Sequence, residues 1–410
     1  ELSDRAYGGA IHNFALNLKP LLMQPPVKGF VTMGLDPGYR NGCKVAVVDA
    51  TGKVLDTAVV YPTFSERKKQ EAIDVLSVLM RKHKVQHIAI GNGTASRETE
   101  DFIKRVPLPK GVRVFTVSED GASIYSASDV ARAEFPEYDV TVRGAVSIGR
   151  RLMDPLAELV KIDPKSLGVG QYQHDVDQTL LKEKLDTTVE SCVNSVGVNL
   201  NTASSYLLSY VSGIGPALAE NIVEYRSANG PYRSRKELLK VKRLGDKAFE
   251  QCAGFLRITD AADPLDNSAV HPEAYHIVAA MAKDLGISTK DLVGNADLCS
   301  KIEPSKYVCG EFGLPTVTDI INELKKPGRD PREELPKPTL REDVLSMEDL
   351  KPDMILSGVV RNVIDFGAFI DIDVHQDGLV HISQICDKYI KHPSEVLSVG
   401  DPVEVKILDV

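Results

Sequence analysis

The sequence has few of the features that mark exported, membrane or zinc-binding proteins. Its six cysteines stand far apart, with no Cys-x-x-Cys pair and no zinc-type Cys/His cluster, which indicates neither a disulfide framework nor a structural zinc site. No apolar run approaches the roughly 18 to 20 residues that a membrane helix needs. Residues 1–23 have the periodicity of an amphipathic helix and do not resemble a signal peptide. We therefore expect a cytoplasmic protein with no membrane partner.

The chain also lacks the positive charge of proteins that coat nucleic acid. Its formal net charge is −9 at pH 7, whereas binding to phosphates draws on clustered lysine and arginine. Residues 201–258 are the exception, with nine basic and five acidic residues. A chain of 410 residues is long enough for about three domains. Any nucleic-acid binding is therefore expected in local patches of particular domains.

The hydrophobic patterns predict a multidomain α+β protein. Strand and helix signals alternate in an α/β region, helical periodicity then prevails, and alternating strands with glycine turns return near the C-terminus. A stretch rich in Pro, Gly and charge precedes those strands and has too little apolar content to pack. The predicted divisions are a helix over 1–26, an α/β domain over 27–160, a helical connector over 161–200, tandem helical hairpins over 201–260, a helical extension over 261–325, a linker over 326–345 and a β-barrel over 346–410.

An internal repeat of about thirty residues predicts two helical hairpins in tandem. Residues 211–215 read Val-Ser-Gly-Ile-Gly and open one helical run, and residues 241–245 read Val-Lys-Arg-Leu-Gly and open the next. Glycine lets the backbone turn tightly beside a ligand, and the N-terminal N–H groups of the following helix can hold a phosphate oxygen whatever the base sequence. The predicted phosphate-contacting residues are Gly213, Gly215, Lys242, Arg243, Gly245 and Lys247.

The alternative for each hairpin is an ordinary helix C-cap followed by an N-cap. The repeat, Pro216 at the first helical turn and the local surplus of basic residues favour phosphate binding. The region resembles tandem helix-hairpin-helix DNA-binding modules.

The C-terminal strands predict a surface for unpaired bases. Residues 358–372 read as two strands around a tight bend that places Phe366 and Phe369 close together, and residues 378–383 supply the next strand. Aromatic rings exposed on an open barrel offer faces on which bases stack, with His381 beside them, unless one phenylalanine belongs to the core. This stretch resembles the S-one RNA-binding domain. The resemblance implies an OB-fold that binds RNA or single strands, and Arg361 is a further candidate contact.

Three carboxylates make the α/β domain a candidate metal-dependent nuclease. Asp36 ends the first strand, Glu119 follows a later strand, and Asp154 lies in a helical run. Carboxylates in such places can bind the two Mg²⁺ ions of phosphodiester hydrolysis, but each can equally cap a turn or helix or pair with an arginine.

The α/β domain resembles the YqgF-type branch of the ribonuclease H-like fold, whose resolvase relatives use such acids. Where such a domain is joined to helix-hairpin-helix and S-one modules, as the resemblances above imply here, it is generally regarded as lacking demonstrated nuclease activity. The resemblance therefore implies no catalytic residues and no cofactor, with Mg²⁺ required only under the nuclease alternative.

The order of the three modules resembles the Tex family of bacterial transcription accessory proteins, and the strings at residues 168–176 and 266–273 extend the resemblance. It implies a factor that binds RNA or DNA largely independently of sequence, with RNA polymerase or the ribosome as candidate protein partners. It also implies a fragment that lacks the family's N-terminal helical region and the last strand of the barrel. The alternatives are the nuclease and a protein-binding scaffold in which residues 264–324 dock polymerase or ribosome.

Overall fold

The computed structural model describes residues 2–170, 173–334, 350, 352–372 and 377–409. The chain divides into two compact units, residues 1–189 with 333–410, and residues 190–332. None of the described helices is both long and apolar enough to cross a membrane.

The first unit is built around a mixed five-stranded sheet. Its strands are β1 (Thr32–Asp36), β2 (Cys43–Val48), β3 (Val54–Val60), β4 (His87–Gly91) and β5 (Arg113–Val117). The helices of this part of the chain are α1 (Leu2–Leu22), α2 (Glu66–His83), α3 (Ser96–Arg105), α4 (Ala122–Ala127), α5 (Asp129–Glu134), α6 (Val140–Met153), α7 (Pro155–Leu159) and α8 (Gln178–Val196). The strand order is β3-β2-β1-β4-β5, with β1, β4 and β5 parallel and β2 antiparallel to both of its neighbours. This topology confirms the predicted ribonuclease H-like α/β domain.

Helices cover both faces of this sheet. Helices α2 and α3 share an apolar core with one face, and α6 packs on the other. Gly34 on β1 brings α6 so near that a Cβ at that position would lie 2.2 Å from the carbonyl oxygen of Ala145. The same close approach places Asp36 against Gly144, where a Cβ would lie 2.6 Å from the Asp36 carboxylate. Glycine at these positions therefore sets the distance between helix and sheet.

The second unit is helical, as predicted, apart from a two-stranded pair. Its elements are β6 (Val198–Asn199), α9 (Ser205–Leu208), α10 (Pro216–Asn229), a 3₁₀ segment (Arg235–Lys240), α11 (Asp246–Cys252), β7 (Leu256–Arg257), α12 (Tyr275–Asp284), α13 (Thr289–Leu292), α14 (Ala296–Cys299) and α15 (Leu314–Lys325). One hairpin joins α9 to α10, and the other joins the 3₁₀ segment to α11.

The helical unit extends into the predicted linker. Residues 326–332 belong to this unit, and Arg332 is buried and paired with Asp330 at 2.7 Å. A charged residue can be buried here because its partner neutralises it, so low apolar content did not prevent packing. Residues 333 and 334 of the predicted linker fall in the other unit, and residues 335–345 lie outside the described residues.

The C-terminal strands form an antiparallel half-barrel. They are β8 (Ile355–Ile364), β9 (Gly367–Asp371), β10 (Gly378–His381) and β11 (Pro402–Lys406), in the order β10-β9-β8-β11. Alternate residues of β8 are buried, and a bulge lies between Val360 and Asn362. The inner face forms a small apolar core to which Leu21 of α1 adds its side chain. The half-barrel is consistent with the predicted OB-fold, and Phe366 and Leu379 on its outer side are exposed.

Candidate nucleic-acid interface

The outer face of the half-barrel brings together three residues that were predicted to bind nucleic acid. Phe366, in the turn between β8 and β9, is 53% exposed. Phe369 on β9 is half-buried and lies directly across from Leu379 on β10. Leu379 precedes His381 by two residues, so these two side chains lie on the same side of β10. The backbone N–H that follows His381 donates to the carbonyl of Phe366 at 2.8 Å. A base placed on Phe366 would therefore meet an exposed ring with an imidazole nearby.

Leu379 also belongs to this face, although it was not predicted from the sequence. Leu379 is exposed opposite Phe369 and extends the apolar surface across two strands. Its signal is the alternation of residues 378–381, which puts Leu379 on the same side as His381. His381 Nδ1 accepts the backbone N–H of Ser383 at 3.3 Å, which leaves the ring hydrogen on Nε2 as a donor for a ligand.

Arg361 is half-exposed but is held by acidic neighbours. Its Nη2 and Nε lie 2.6 and 3.0 Å from Asp371 Oδ2, and Nε lies 4.0 Å from Asp377 Oδ1. Burial lowers the pKa of Arg361, but the charge of Asp371 and its hydrogen bond outweigh burial and raise that pKa. A phosphate would have to compete with Asp371 for this guanidinium. Arg361 is therefore a weaker candidate contact than Phe366.

The first hairpin has an open glycine turn at the start of α10. Gly213 has a φ of +80°, and a Cβ there would lie 2.6 Å from Gln251 Cβ, so the fold itself requires this glycine. Gly215 has a φ of −88° and room on all sides, because a Cβ there would meet nothing within 4 Å. Gly215 and Pro216 are exposed, and no side chain caps α10. The first N–H groups of this helix are thus accessible to a phosphate oxygen.

The second hairpin has the same backbone with different side chains. Arg243 stands where the first hairpin has Gly213 and adopts a φ of +67°, a conformation that costs a non-glycine residue about 1–2 kcal/mol. Gly245 precedes α11 with a φ of −93°, close to that of Gly215. The first residue of α11 is Asp246, whose charge favours the helix N-terminus but repels phosphate. The first hairpin therefore has the more accessible helix N-terminus for an anion.

What the second hairpin supplies is positive charge. Its exposed cations are Lys236, Lys240, Lys242, Arg243 and Lys247. Within the described part of the chain, no ion pair or side-chain hydrogen bond occupies them. They are therefore available to a polyanion.

Not every basic residue of this region is available. Arg235 is only 1% exposed and donates to the carbonyls of Leu256 and Val270 and to the hydroxyl of Tyr275. Its backbone N–H donates to Asp266, which also accepts the Tyr275 hydroxyl at 2.6 Å. This arginine ties the hairpins to the helices that follow, so its role is structural.

The structure brings two of the three candidate carboxylates to one end of the α/β sheet. Asp36 ends β1, and Glu119 follows β5. Burial first, and then the charge of Glu119, raises the pKa of Asp36 to about 6, although Lys44 lowers it. Burial also raises the pKa of Glu119. Both carboxyl groups thus stand where ionisation is disfavoured.

Glu119, which follows β5, is hydrogen-bonded to the loop that follows β4. Its carboxylate accepts the N–H of Gly93, and its own N–H donates to Asn92 Oδ1 at 3.2 Å. A Cβ at Gly91 or Gly93 would lie 2.7 or 1.5 Å from the carboxylate oxygens. The anion held at this turn is therefore the protein's own side chain.

Asp154 does not join the other two acids. It caps α7 by accepting the N–H of Ala157 at 3.2 Å, and it pairs with Lys28 at 2.9 Å. Asp36 lies against Gly144 near the start of α6, whereas Asp154 follows the end of that helix, about 15 Å further along the axis at 1.5 Å per residue. Among the described residues, no group of three His, Cys, Asp or Glu side chains could hold a metal ion. The three carboxylates predicted as nuclease candidates therefore do not converge on one point.

Four family models match the chain in the predicted order. A Tex protein YqgF-like domain matches residues 30–153, a helix-hairpin-helix motif residues 193–257, an HHH domain residues 263–332 and an S1 RNA binding domain residues 349–410. S1 and S-one are two names for the same domain. Each module thus coincides with a region in which the structure has the corresponding fold.

Several proteins are similar to the chain over its whole length. Transcriptional accessory protein Tex of Neisseria gonorrhoeae is 54% identical over 413 residues, covering 100% of this chain and 54% of that protein. Protein tex of Bordetella pertussis is also 54% identical, covering 100% of this chain and 52% of its own length. Human S1 RNA-binding domain-containing protein 1 is 37% identical over 480 residues, covering 100% of this chain and 48% of that protein. The chain spans about half the length of these relatives. Its module order and its identity to the Tex proteins agree, and the chain belongs to the Tex family.

Proposed function

We propose that this chain is a nucleic-acid-binding part of a transcription accessory factor, in which the half-barrel stacks unpaired bases. The observation that carries the proposal is the outer face where Phe366 is half-exposed beside His381, with Phe369 and Leu379 continuing the apolar surface. One stacked base contributes about 1–3 kcal/mol, and every base has a face that can stack. The ligand is therefore single-stranded RNA or DNA, bound largely without regard to sequence.

The tandem hairpins hold the phosphate backbone in this proposal. The open turn at Gly215 offers helix N–H groups, and the exposed cations from Lys236 to Lys247 add attraction over a longer range. These contacts suit duplex and single strands alike because phosphates are common to both.

The α/β domain serves as scaffold or partner surface in this proposal. Glu119 is engaged by the loop that follows β4 and Asp154 by Lys28, which supports a structural use of these acids. Protein partners such as RNA polymerase or the ribosome belong to the same proposal, supported by the words "transcriptional accessory protein" in the name of the gonococcal relative. A cytoplasmic location is supported by the six cysteines, none of which forms a disulfide in the part of the chain that the structure describes.

Fluorescence-anisotropy titrations test the two binding modes separately. Phe366→Ala is expected to weaken binding of a single-stranded oligonucleotide about 5- to 100-fold and leave duplex binding unchanged. Lys242→Ala is expected to weaken both ligands and to lower the slope of log K against log salt by about 0.9 on a duplex.

Matched controls come from the same chain. Phe64→Ala removes a half-exposed ring from the α/β domain, and Lys290→Ala removes an exposed charge elsewhere in the helical unit. Both controls should bind as the unchanged chain does. Equal losses for Phe366→Ala and Phe64→Ala would contradict the stacking role, and no binding of either ligand at low salt would contradict the whole proposal.

A further inference from the structure

The turn that carries Phe366 is held from outside the half-barrel, by helix α1. Asp365 immediately precedes Phe366, and its Oδ1 accepts a hydrogen bond of 3.0 Å from Asn13 Nδ2. The same oxygen lies 3.2 Å from His392 Nε2, in the segment between β10 and β11. Three separate parts of the chain thus meet at one carboxylate oxygen.

The histidine of this group is fixed in one tautomer. His392 Nδ1 accepts the backbone N–H of Ser394 at 3.1 Å, so the ring hydrogen is on Nε2 and is donated to Asp365. The side chain of Glu395 accepts the backbone N–H groups of Lys391 and His392 at 3.0 and 3.1 Å, which holds that segment in place. Asp365 therefore receives two hydrogen bonds from groups that are themselves anchored.

A second contact of α1 keeps the helix in register with β8. Asn17 is 4% exposed and donates through Nδ2 to Asn362 Oδ1 at 2.8 Å and to the carbonyl of Val169 at 2.9 Å. Asn362 lies directly across from Phe369 on β9, so this contact reaches the same outer face. Asn13, Asn17 and Leu21 are spaced four residues apart and form one stripe along α1. Leu21 packs against the core of the half-barrel.

We propose that Asn13 is a positioning residue for base stacking, because its bond to Asp365 holds the turn in the conformation that presents Phe366. This inference rests on the proposed function, since it assigns a role toward the same ring. A ring that is already held in place loses less conformational freedom when a base stacks on it, which raises affinity without a new contact. Helix α1 thereby contributes to base binding by positioning the turn that carries Phe366.

The exposure of Asp365 separates this role from ordinary packing. Its side chain is 84% exposed, so the bond from Asn13 is a surface contact and not part of the core. Loss of that bond should leave the fold intact while the turn gains freedom. Asn17, by contrast, is buried, and its substitution would disturb the fold itself.

A donor–acceptor exchange tests the proposal. Asn13→Asp places a carboxylate against Asp365, so the bond is lost and replaced by repulsion. Asp365→Asn alone keeps an acceptor oxygen for Asn13 and His392, and the double variant restores a donor–acceptor pair with the roles reversed. The probe is a twelve-residue oligouridylate, measured by anisotropy with the whole chain, and a duplex of equal length reports the hairpins.

We expect Asn13→Asp to raise the Kd for the oligouridylate about 3- to 10-fold and to leave duplex binding unchanged. Asp365→Asn and the double variant should both bind the oligouridylate within about twofold of the unchanged chain. The sequence has no tryptophan, so Phe366→Trp places the chain's only tryptophan at the turn, and its emission can be excited apart from that of the thirteen tyrosines. Its anisotropy decay should show faster local motion when Asn13→Asp is added.

An unchanged Kd for Asn13→Asp would overturn the inference, as would a double variant that fails to recover. Phe366→Ala, measured in the same series, distinguishes the two levels of the proposal. If Phe366→Ala weakens binding and Asn13→Asp does not, only the positioning role is wrong. If Phe366→Ala binds normally, base stacking on this face is wrong and the positioning role falls with it.

Discussion

Asp36→Asn should stabilise the α/β domain at neutral pH and have almost no effect in acid. The pKa of Asp36 rises from 3.8 to about 6 in the folded chain, and each pKa unit corresponds to about 1.4 kcal/mol. The ionised carboxylate therefore costs the fold about 3 kcal/mol above pH 6. Asparagine has the same shape without the charge, so the substitution removes that cost.

The direction of the pH dependence follows from proton binding. Between about pH 4 and pH 6 the folded chain holds a proton on Asp36 that the unfolded chain has lost, so stability falls as pH rises through this window and is level above it. The gain from Asp36→Asn should accordingly approach 3 kcal/mol at pH 8 and vanish below pH 4.

Hydrogen exchange of peptides from β1 and β2 across a urea series measures the stability of this domain separately from the rest of the chain. Asp74→Asn on the exposed side of α2 is the matched control and should change stability by less than about 0.5 kcal/mol at either pH. An equal gain from Asp36→Asn at pH 4 and pH 8 would refute the charge-based explanation. A loss at pH 8 would show that Lys44 stabilises the ionised form by more than burial and Glu119 disfavour it.

Two further predictions concern the hairpins. Arg243→Gly should stabilise the helical unit by about 1 kcal/mol in urea unfolding, because glycine adopts a φ of +67° without strain. The same variant should weaken duplex binding measured by anisotropy. Arg243→Ala should weaken duplex binding without that stabilisation. Gly213→Ala should destabilise the unit by more than about 1 kcal/mol, whereas Gly215→Ala should change stability by less than that and weaken phosphate binding. Equal stability losses at the two glycines would contradict the distinction between a glycine that the fold requires and one that a ligand requires.

The local architecture was predictable because it depends on neighbours in sequence. The strand-like run at residues 87–90 forms β4, which ends one residue later at Gly91, and the helical period of residues 65–84 corresponds to α2, Glu66–His83. A short run of apolar residues can be recognised in a sequence without knowing which element it packs against, and a helix can be recognised by the period of its apolar residues. The positions of the two hairpin turns follow in the same way, from a repeat in the sequence.

What the sequence could not provide were pairings between distant residues. Arg235 and Lys236 are neighbours in one basic run, yet the first is buried among carbonyls more than twenty residues away and the second is exposed. The distance between Asp154 and Asp36 could not be predicted for the same reason, since it depends on where α6 crosses the sheet. The contact between Asn13 and Asp365 joins positions at opposite ends of the chain. No periodicity carries that information.

The two hairpins use one backbone for two kinds of phosphate attraction. In the first, open space at Gly215 lets a phosphate reach helix N–H groups, an attraction that depends on contact and falls off within one turn. In the second, Asp246 opposes such contact, while Lys240, Lys242 and Lys247 act over about a Debye length. Added salt weakens the second interaction far more than the first. In the proposed function, a polyanion is therefore drawn in by the second hairpin and held in place by the first, and this local attraction would let a chain of net charge −9 bind nucleic acid.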